Sequence, residues 1–501
     1  MIFDELMFGQ SDQLKIELYR TLSGMPVGEY RAEVLIDKHL LNYHQVTNIL
    51  RQIDADLLKA DSKHQPILVK SGKIMIHKSL PNMDKYRSLL LGNSLPFKFL
   101  LEILNNPKST AEEFCAREDI GRSTLARKLS PLISYLRHYK LSFSYSPLML
   151  NGNETVIRFF LFHCFWLGLR DNVWPFALKK EDIAEVYEHL YSYIDVTGNY
   201  VFGEEMKWLI AISKMRYEKG FIVDKHEPVI QFFRENPHYK MEDFDMSWFA
   251  TEEDREREAS FWFIYSMWID IKEAPNSLSA RDTKAQLLKT PAFQEPIRFA
   301  RAFFDYVKGE RLVPEMSHED ENELFYDLLH ETFRFYYLGG VPTGFESLTG
   351  RVFENSRGYE DVKEKIGEFY DAEAKLYPFI YRSVSRGIFE LRFVNLIYPL
   401  YVQTGHFMDN LVVGLALELD YHLLVRLRIW LNHIKNITVK EFEPDYSQDF
   451  DIVVHSSSRF QELYPNIPHF QWEPDYGNEE MLRLYHDIHM MYSKKVFEET
   501  K

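Results

Sequence analysis

The spacing of apolar residues is the feature that most constrains this sequence. Over most of residues 1–400, apolar side chains recur every three or four positions, which is the period of amphipathic α-helices. The pattern is clearest at 97–104, 156–169, 183–194, 205–216, 323–337 and 359–377. A hydrophobic content of 46% over 501 residues supplies enough core for several folded domains. We therefore expect a mainly α, multidomain protein.

The last hundred residues change to an α/β pattern. Candidate strands lie at 410–419, 437–442, 450–454 and 467–472, and candidate helices at 422–435 and 479–496. The first of these strands is almost entirely apolar, as expected for a strand buried on both faces. Because strands alternate with helices, this region predicts a small domain built on a parallel sheet.

Several classes of protein are not expected. No uncharged apolar run reaches the length of about 18 residues that a membrane helix needs. The acidic start of the chain lacks the basic region of a signal peptide. Cys115 and Cys164 are the only cysteines, which fits a reducing compartment. We therefore expect a cytoplasmic protein that does not contact a membrane.

The net charge of −16 hides an asymmetry along the chain. Residues 1–150 contain 20 Lys and Arg residues against 16 Asp and Glu residues, whereas the remaining chain contains 39 against 59. A mildly basic head on an acidic body is the distribution expected if only the head meets a polyanion such as DNA.

The stronger DNA-binding candidate is a helix-turn-helix at 96–139. Ser109, with Glu112 three residues later, predicts a capping box at the start of its second helix. The third helix follows Gly121, and its first turns carry the side chains that can reach phosphates and base edges. These residues are Arg122, Ser123, Thr124, Arg127 and Lys128. A β segment at 141–150 follows, where the wing of a winged helix would lie.

A less basic candidate spans residues 13–57, with a second helix at 29–39 and a third at 44–57. The polar face of its third helix consists of His44, Gln45, Thr47, Asn48 and Arg51. Gln and Asn side chains can pair with adenine, and Arg can bind guanine or phosphate. A hairpin is predicted at 67–77, with Ser71 and Gly72 at its turn. Tandem units, each followed by a β segment, favour DNA binding over the alternative of ordinary helical hairpins.

The segment after the predicted wing resembles the same junction in Mga- and AtxA-type virulence regulators. The resemblance is carried by Leu150-Asn151-Gly152-Asn153-Glu154, then Ile157-Arg158 and Phe159-Phe160. It implies a helix-turn-helix domain at 1–60, a winged helix-turn-helix domain at 61–152, helical regulation domains at 153–280 and 281–402, and an enzyme IIB-like α/β domain at 403–501.

The resemblance also implies a function. Such regulators control transcription, and the phosphocarrier protein of the sugar phosphotransferase system is expected to phosphorylate histidines in their regulation domains. The added charge would alter self-association. The candidate positions are His189 and His330, with His226 and His238 as weaker ones; each also has a purely structural alternative. The tail has no cysteine, so the resemblance implies an interaction or homodimerisation module rather than a phosphate relay.

The sequence offers no motif for catalysis. It contains no GxxxxGK[ST] loop, no HExxH and no cluster of Cys and His ligands. His486 and His489 share a helix face but lack a third ligand nearby. We expect no catalytic residue, no cofactor and no metal site, and double-stranded DNA bound by a homodimer. A protein-interaction scaffold and an RNA-binding antiterminator are the alternatives.

Overall fold

The fold divides into two compact units. In the computed structural model, the described residues are 2–69, 72–106, 108–170, 172–191, 200–240, 249–273, 276–339, 348, 358–382, 384–404, 411–417, 421–434, 437–457, 459–472 and 478–497. The first unit comprises Met1–Phe299, Thr332–Gly350 and Tyr377–Val384, and the second comprises Ala300–Glu331, Arg351–Leu376 and Ser385–Lys501. Among the described residues, no helix combines the length and the apolar content needed to cross a bilayer.

The first helix-turn-helix unit opens the chain. Its elements are α1 (Ile2–Met7), α2 (Gln10–Ser23), β1 (Gly28–Arg31), α3 (Glu33–His39), α4 (Tyr43–Ala60) and β2 (Lys73–Ile76). The helix predicted from residue 29 begins only at Glu33, because the preceding residues extend and pair antiparallel with β2. The hairpin predicted at 67–77 forms through two backbone hydrogen bonds. The N–H of Val69 donates to the carbonyl of Lys73, and the N–H of Met75 donates to the carbonyl of Ile67. Ser71 lies outside the described residues.

The winged helix-turn-helix follows directly. Its elements are α5 (Met83–Leu91), α6 (Leu95–Asn105), α7 (Ala111–Arg117), α8 (Arg122–His138), β3 (Ser142–Tyr145) and β4 (Leu148–Asn151). Strands β3 and β4 pair antiparallel, which confirms the predicted β segment. The capping box lies one residue later than predicted. Thr110, not Ser109, has the extended backbone of an N-cap, and Glu113 closes the box.

Helices make up the middle of the chain. They are α9 (Glu154–Leu169), α10 (Ala184–Tyr191), α11 (Tyr200–Glu218), α12 (Glu227–Arg234), α13 (Glu252–Glu273), α14 (Leu278–Lys289), α15 (Gln294–Gly309), α16 (His318–Leu338), α17 (Tyr359–Glu373), α18 (Pro378–Tyr381) and α19 (Arg386–Tyr401). Helix α9 is buried all round except at Phe159, as expected for a helix that is apolar on every face. The prediction of a mainly α, multidomain chain is confirmed.

The tail forms the predicted α/β domain. Its elements are β5 (Leu411–Ala416), α20 (Tyr421–Asn432), β6 (Ile437–Glu441), β7 (Ile452–His455), α21 (Phe460–Leu463), β8 (His469–Gln471) and α22 (Asn478–Phe497). The strands lie in the order β6-β5-β7-β8, and every neighbouring pair is parallel. On one face of this sheet, Val413 and Val454 pack against Leu427 and Leu484 of the flanking helices.

Candidate nucleic-acid interface

One aromatic side chain contacts both α7 and the wing of the winged helix. The ring of Phe99 on α6 lies edge-on to Phe114 of α7, with ring centroids 5.3 Å apart. It also contacts Phe143 of the wing at 5.2 Å. Because aromatic pairs of this geometry stabilise beyond their buried area, the wing and α7 are fixed against the same helix. Helix α8 packs against α6, α7 and the wing strand β3.

Helix α8 has one apolar and one basic face. Leu125, Leu129, Leu132 and Leu136 are buried at the spacing of one helix face. The predicted contact residues Arg122, Ser123, Arg127 and Lys128 are exposed, whereas Thr124 is half-buried. The start of the helix therefore presents cations and a hydroxyl to solvent, where a backbone dipole also favours anions.

The cations of α8 differ in their surroundings. Arg122 forms an ion pair with Glu112 of α7. The Lys128 ammonium lies close to Gly9, 3.5 Å from where a Cβ on that glycine would stand. Within the described part of the chain, Arg127 has no ion-pair partner. Arg127 can therefore meet a phosphate without first breaking an ion pair.

In the first helix-turn-helix unit, only part of the predicted polar face of α4 is exposed. His44, Gln45, Asn48 and Arg51 are exposed, but the amide oxygen of Gln45 already accepts a hydrogen bond from the backbone of the helix cap. Thr47 is buried, and its hydroxyl donates to the carbonyl oxygen of an earlier residue of α4, 2.9 Å away. The placement of Thr47 on the DNA-facing side was wrong, because it lies between the core positions 46 and 49.

The histidines predicted as phosphorylation sites lie in different surroundings. His189 is on α10, but its side chain lies outside the described residues; His330 is half-buried on α16. His226 is half-buried against the rings of Tyr336 and Tyr337, and this partial burial lowers the pKa of its imidazole. The imidazole of His238 lies 2.8 Å from a carboxylate oxygen of Asp282.

A buried ionic cluster lies directly after the wing. Arg158 on α9 makes two hydrogen bonds to the carboxylate of Glu258 on α13. Glu154, one turn before Arg158, receives two hydrogen bonds from Arg216 on α11, of 2.9 and 2.6 Å. All of these side chains are nearly closed to solvent. The start of α9 is thus fixed to the helical body by charge as well as by apolar packing.

A second polar contact joins the winged helix to the body. The ammonium of Lys219, just beyond α11, donates to the backbone carbonyl of Ile103, 3.0 Å away, and to that of Leu104. These carbonyls belong to the last turn of α6, where helix carbonyls lack partners within their own helix. No sequence pattern indicates this contact, because its partners lie more than a hundred residues apart.

Comparisons with known proteins point to the same region. Residues 82–165 match the family model described as the Mga helix-turn-helix domain; the match runs from the cap of α5 through the wing into α9. The capsule synthesis positive regulator AcpB of Bacillus anthracis is 26% identical over 206 residues, which are 39% of this chain and 42% of that relative. The match thus spans less than half of each protein. These findings confirm the resemblance seen in the sequence.

Proposed function

We propose that this chain, which carries a Mga helix-turn-helix domain, is a cytoplasmic DNA-binding transcription regulator and not an enzyme. The observation that carries the proposal is the exposed basic start of α8, which lies within the matched segment and beside a β wing. Recognition helices insert their first turns into the major groove, where Arg and Lys side chains contact phosphates and base edges. The name of the matching relative, a positive regulator, denotes the same class.

The proposed order of parts follows the sequence. A helix-turn-helix domain at 1–60 and a winged one at 61–152 form the head, which meets double-stranded DNA. Helical regulation domains at 153–280 and 281–402 and an enzyme IIB-like domain at 403–501 form the body. In the head, Arg122 and Arg127 contact phosphates from the second unit, and His44, Asn48 and Arg51 contact the duplex from the first.

Regulation by the sugar phosphotransferase system is a further part of the proposal. The phosphocarrier protein would phosphorylate His189 or His330, adding charge and acceptor oxygens to a helix surface. Transfer of labelled phosphate from the phosphocarrier to the full chain tests this directly. Loss of label in His330→Ala or in His189→Ala identifies the site, whereas no label on the unaltered chain removes this part of the proposal.

Homodimerisation is proposed to involve the last helix of the tail. Leu484 and Ile488 of α22 face the core of the sheet domain, while Leu482, Tyr485 and Met490 are exposed. Exposed apolar side chains on a helix that is already packed on its other side can form an association surface. Sedimentation of the full chain with Leu482→Glu and Met490→Glu tests it. A monomeric variant beside a dimeric unaltered chain supports the surface, and an unchanged mass contradicts it.

The main experiment measures binding of the full chain to a labelled DNA duplex by fluorescence anisotropy. We expect affinity to fall steeply between about 50 and 200 mM salt, because phosphate contacts release counterions. The double variant Arg122→Ala with Arg127→Ala should bind more weakly and with a shallower salt dependence, by about one unit of log–log slope for each lost phosphate contact.

A matched control removes two cations that lie away from the start of α8. Lys59 and Arg137 lie in the last turns of α4 and α8 and are exposed. The variant Lys59→Ala with Arg137→Ala changes the net charge equally, so near-normal binding of this control assigns the loss to the start of α8. No duplex binding at low salt favours the scaffold, and preferential competition by RNA favours the antiterminator.

A further inference from the structure

The first helix-turn-helix unit exposes two large apolar side chains at the start of its recognition helix. Leu40, in the turn between α3 and α4, is 92% exposed, and Tyr43, the first residue of α4, is 45% exposed. The ring of Tyr43 lies edge-on to that of His44 at 6.0 Å. A single exposed apolar side chain is common on a protein surface, whereas neighbouring ones that form a patch mark a surface that can contact another molecule.

The backbone at Leu40 makes its exposure more informative. Leu40 ends α3 in the left-handed conformation, with φ 52° and ψ 36°. This conformation suits Gly or Asn and is unfavourable for a bulky side chain. The backbone conformation of this turn disfavours leucine, and the Leu40 side chain gains no burial within this chain to offset that cost. Such an outlier points to a role outside the folding of the unit itself.

The polar residues near Leu40 and Tyr43 indicate what kind of molecule these side chains contact. His44, Asn48 and Arg51 are exposed on the same helix. An Asn side chain pairs with the N6 and N7 edge of adenine in the major groove. The opposite base of that pair presents the C5 methyl group of thymine, which is the apolar feature of the major groove and is contacted by apolar side chains.

We propose that Leu40 and Tyr43 contact the C5 methyl groups of thymine, so that the first unit prefers duplexes with A·T pairs. This inference rests on the proposed function, because it requires α4 to lie in the major groove. It assigns different roles in DNA binding to the two helix-turn-helix units. The first recognises A·T pairs through apolar contacts and Asn48, while the second supplies phosphate contacts through the cations of α8.

The test replaces thymine by uracil, which removes only the methyl group and keeps base pairing. The full chain is titrated with a duplex of alternating dA and dT and with the same duplex carrying dU in place of dT. Removing buried methyl groups weakens apolar contacts by about three- to fourfold for each group. We expect the thymine duplex to bind about three- to tenfold more tightly.

The variant Leu40→Asn with Tyr43→Ser should lose this discrimination. Asn tolerates the left-handed turn and Ser is accepted at a helix start, so the fold is expected to persist, which thermal unfolding by circular dichroism checks. The control is Leu58→Ala, because Leu58 is 54% exposed on the same helix but near its far end. This control should discriminate like the unaltered chain.

Each outcome decides one question. Equal affinity of the unaltered chain for both duplexes overturns the methyl contact while leaving DNA binding intact. Discrimination that survives in the folded double variant shows that other residues sense the methyl group, and it overturns the assignment to Leu40 and Tyr43. Binding to neither duplex at low salt overturns the proposed function itself, and this inference with it.

Discussion

The guanidinium of Arg158 donates two hydrogen bonds to the carboxylate of Glu258, over distances of 2.5 and 2.7 Å, in a site closed to solvent. Burial disfavours the charged form of Arg158, yet the carboxylates of Glu258 and Glu154 hold the pKa of Arg158 above its usual value. Arg216 completes the cluster by pairing with Glu154. Two cations and two anions thus compensate each other among the helices that follow the winged helix-turn-helix.

Glu258→Gln should be strongly destabilising. The substitution preserves shape and one acceptor but leaves two buried cations, Arg158 and Arg216, with Glu154 as the one remaining anion of the cluster. Breaking a buried ion pair in this way costs about 3–5 kcal/mol. The expected result is a large decrease in the urea midpoint for unfolding of the first compact unit. Tryptophan fluorescence can monitor this unfolding, since Trp262 lies on the same helix.

Glu252→Gln provides the matched control on that helix. Its carboxylate pairs with Arg255 at 3.4 Å, but the Glu252 side chain is largely exposed. Exposed pairs contribute about 0–1 kcal/mol, so this variant should unfold close to the unaltered chain. Equal effects of the two substitutions would mean that the buried cluster contributes no more than a surface pair.

Gly152→Ala should destabilise the junction between the wing and α9. Gly152 has φ +143°, and a Cβ there would lie 2.3 Å from Leu141 Cδ2 and 3.1 Å from the Lys140 carbonyl oxygen. Strain of this kind costs about 1–3 kcal/mol. Gly220→Ala is the comparison, because Gly220 has φ +82° but open space around it. A larger loss of thermal stability for Gly152→Ala than for Gly220→Ala measures the cost of the steric clash beyond that of the positive φ. Equal losses would contradict a steric contribution at position 152.

The sequence predicted most of the fold because helical periodicity and strand alternation are local properties. Helix α9, the wing and the parallel sheet of the tail all lie where the apolar pattern placed them. The errors lie at element starts, where strand β1 replaces the predicted first turn of α3, and at single side chains. Thr47 was read as polar and therefore exposed, but its hydroxyl is satisfied within α4, so polarity alone could not reveal its direction.

The ionic partners could not be predicted, because they come from distant parts of the chain. Glu154 and Arg158 stand four residues apart in an apolar run, which indicates one helix face. Their partners on α11 and α13 lie 62 and 100 residues away. Likewise, nothing in the sequence indicates that Arg122, predicted to meet DNA, is paired with Glu112 in the unbound chain.

Glu112→Gln should strengthen DNA binding if the proposed function holds. The substitution releases Arg122 from its ion pair and removes a negative charge from the surface that meets phosphates. An exposed pair is worth about 0–1 kcal/mol, so we expect up to about a fivefold gain in affinity at low salt. Glu113→Gln removes the same charge one residue later, where the carboxylate caps α7. An equal gain in both variants would attribute the effect to net charge alone.

The contact between Lys219 and the end of α6 should make stability depend on pH. Burial, reinforced by the charge of Arg216, lowers the pKa of Lys219 from 10.5 to about 8. Between these values the unfolded chain binds more protons than the folded chain, so this group makes stability rise with pH from about 8 to 10.5. Below about pH 8, Lys219 is charged in both states and its contribution is constant.

Lys219→Met isolates this effect from the other groups that titrate in the same window. The difference in melting temperature between the unaltered chain and the variant should shift in favour of the unaltered chain between about pH 7 and about pH 10. Neutral Lys219 still donates to the carbonyls of Ile103 and Leu104 but no longer carries a buried charge, whereas Met has no proton to lose. A difference that stays constant across these pH values would show that Lys219 titrates as an ordinary surface lysine.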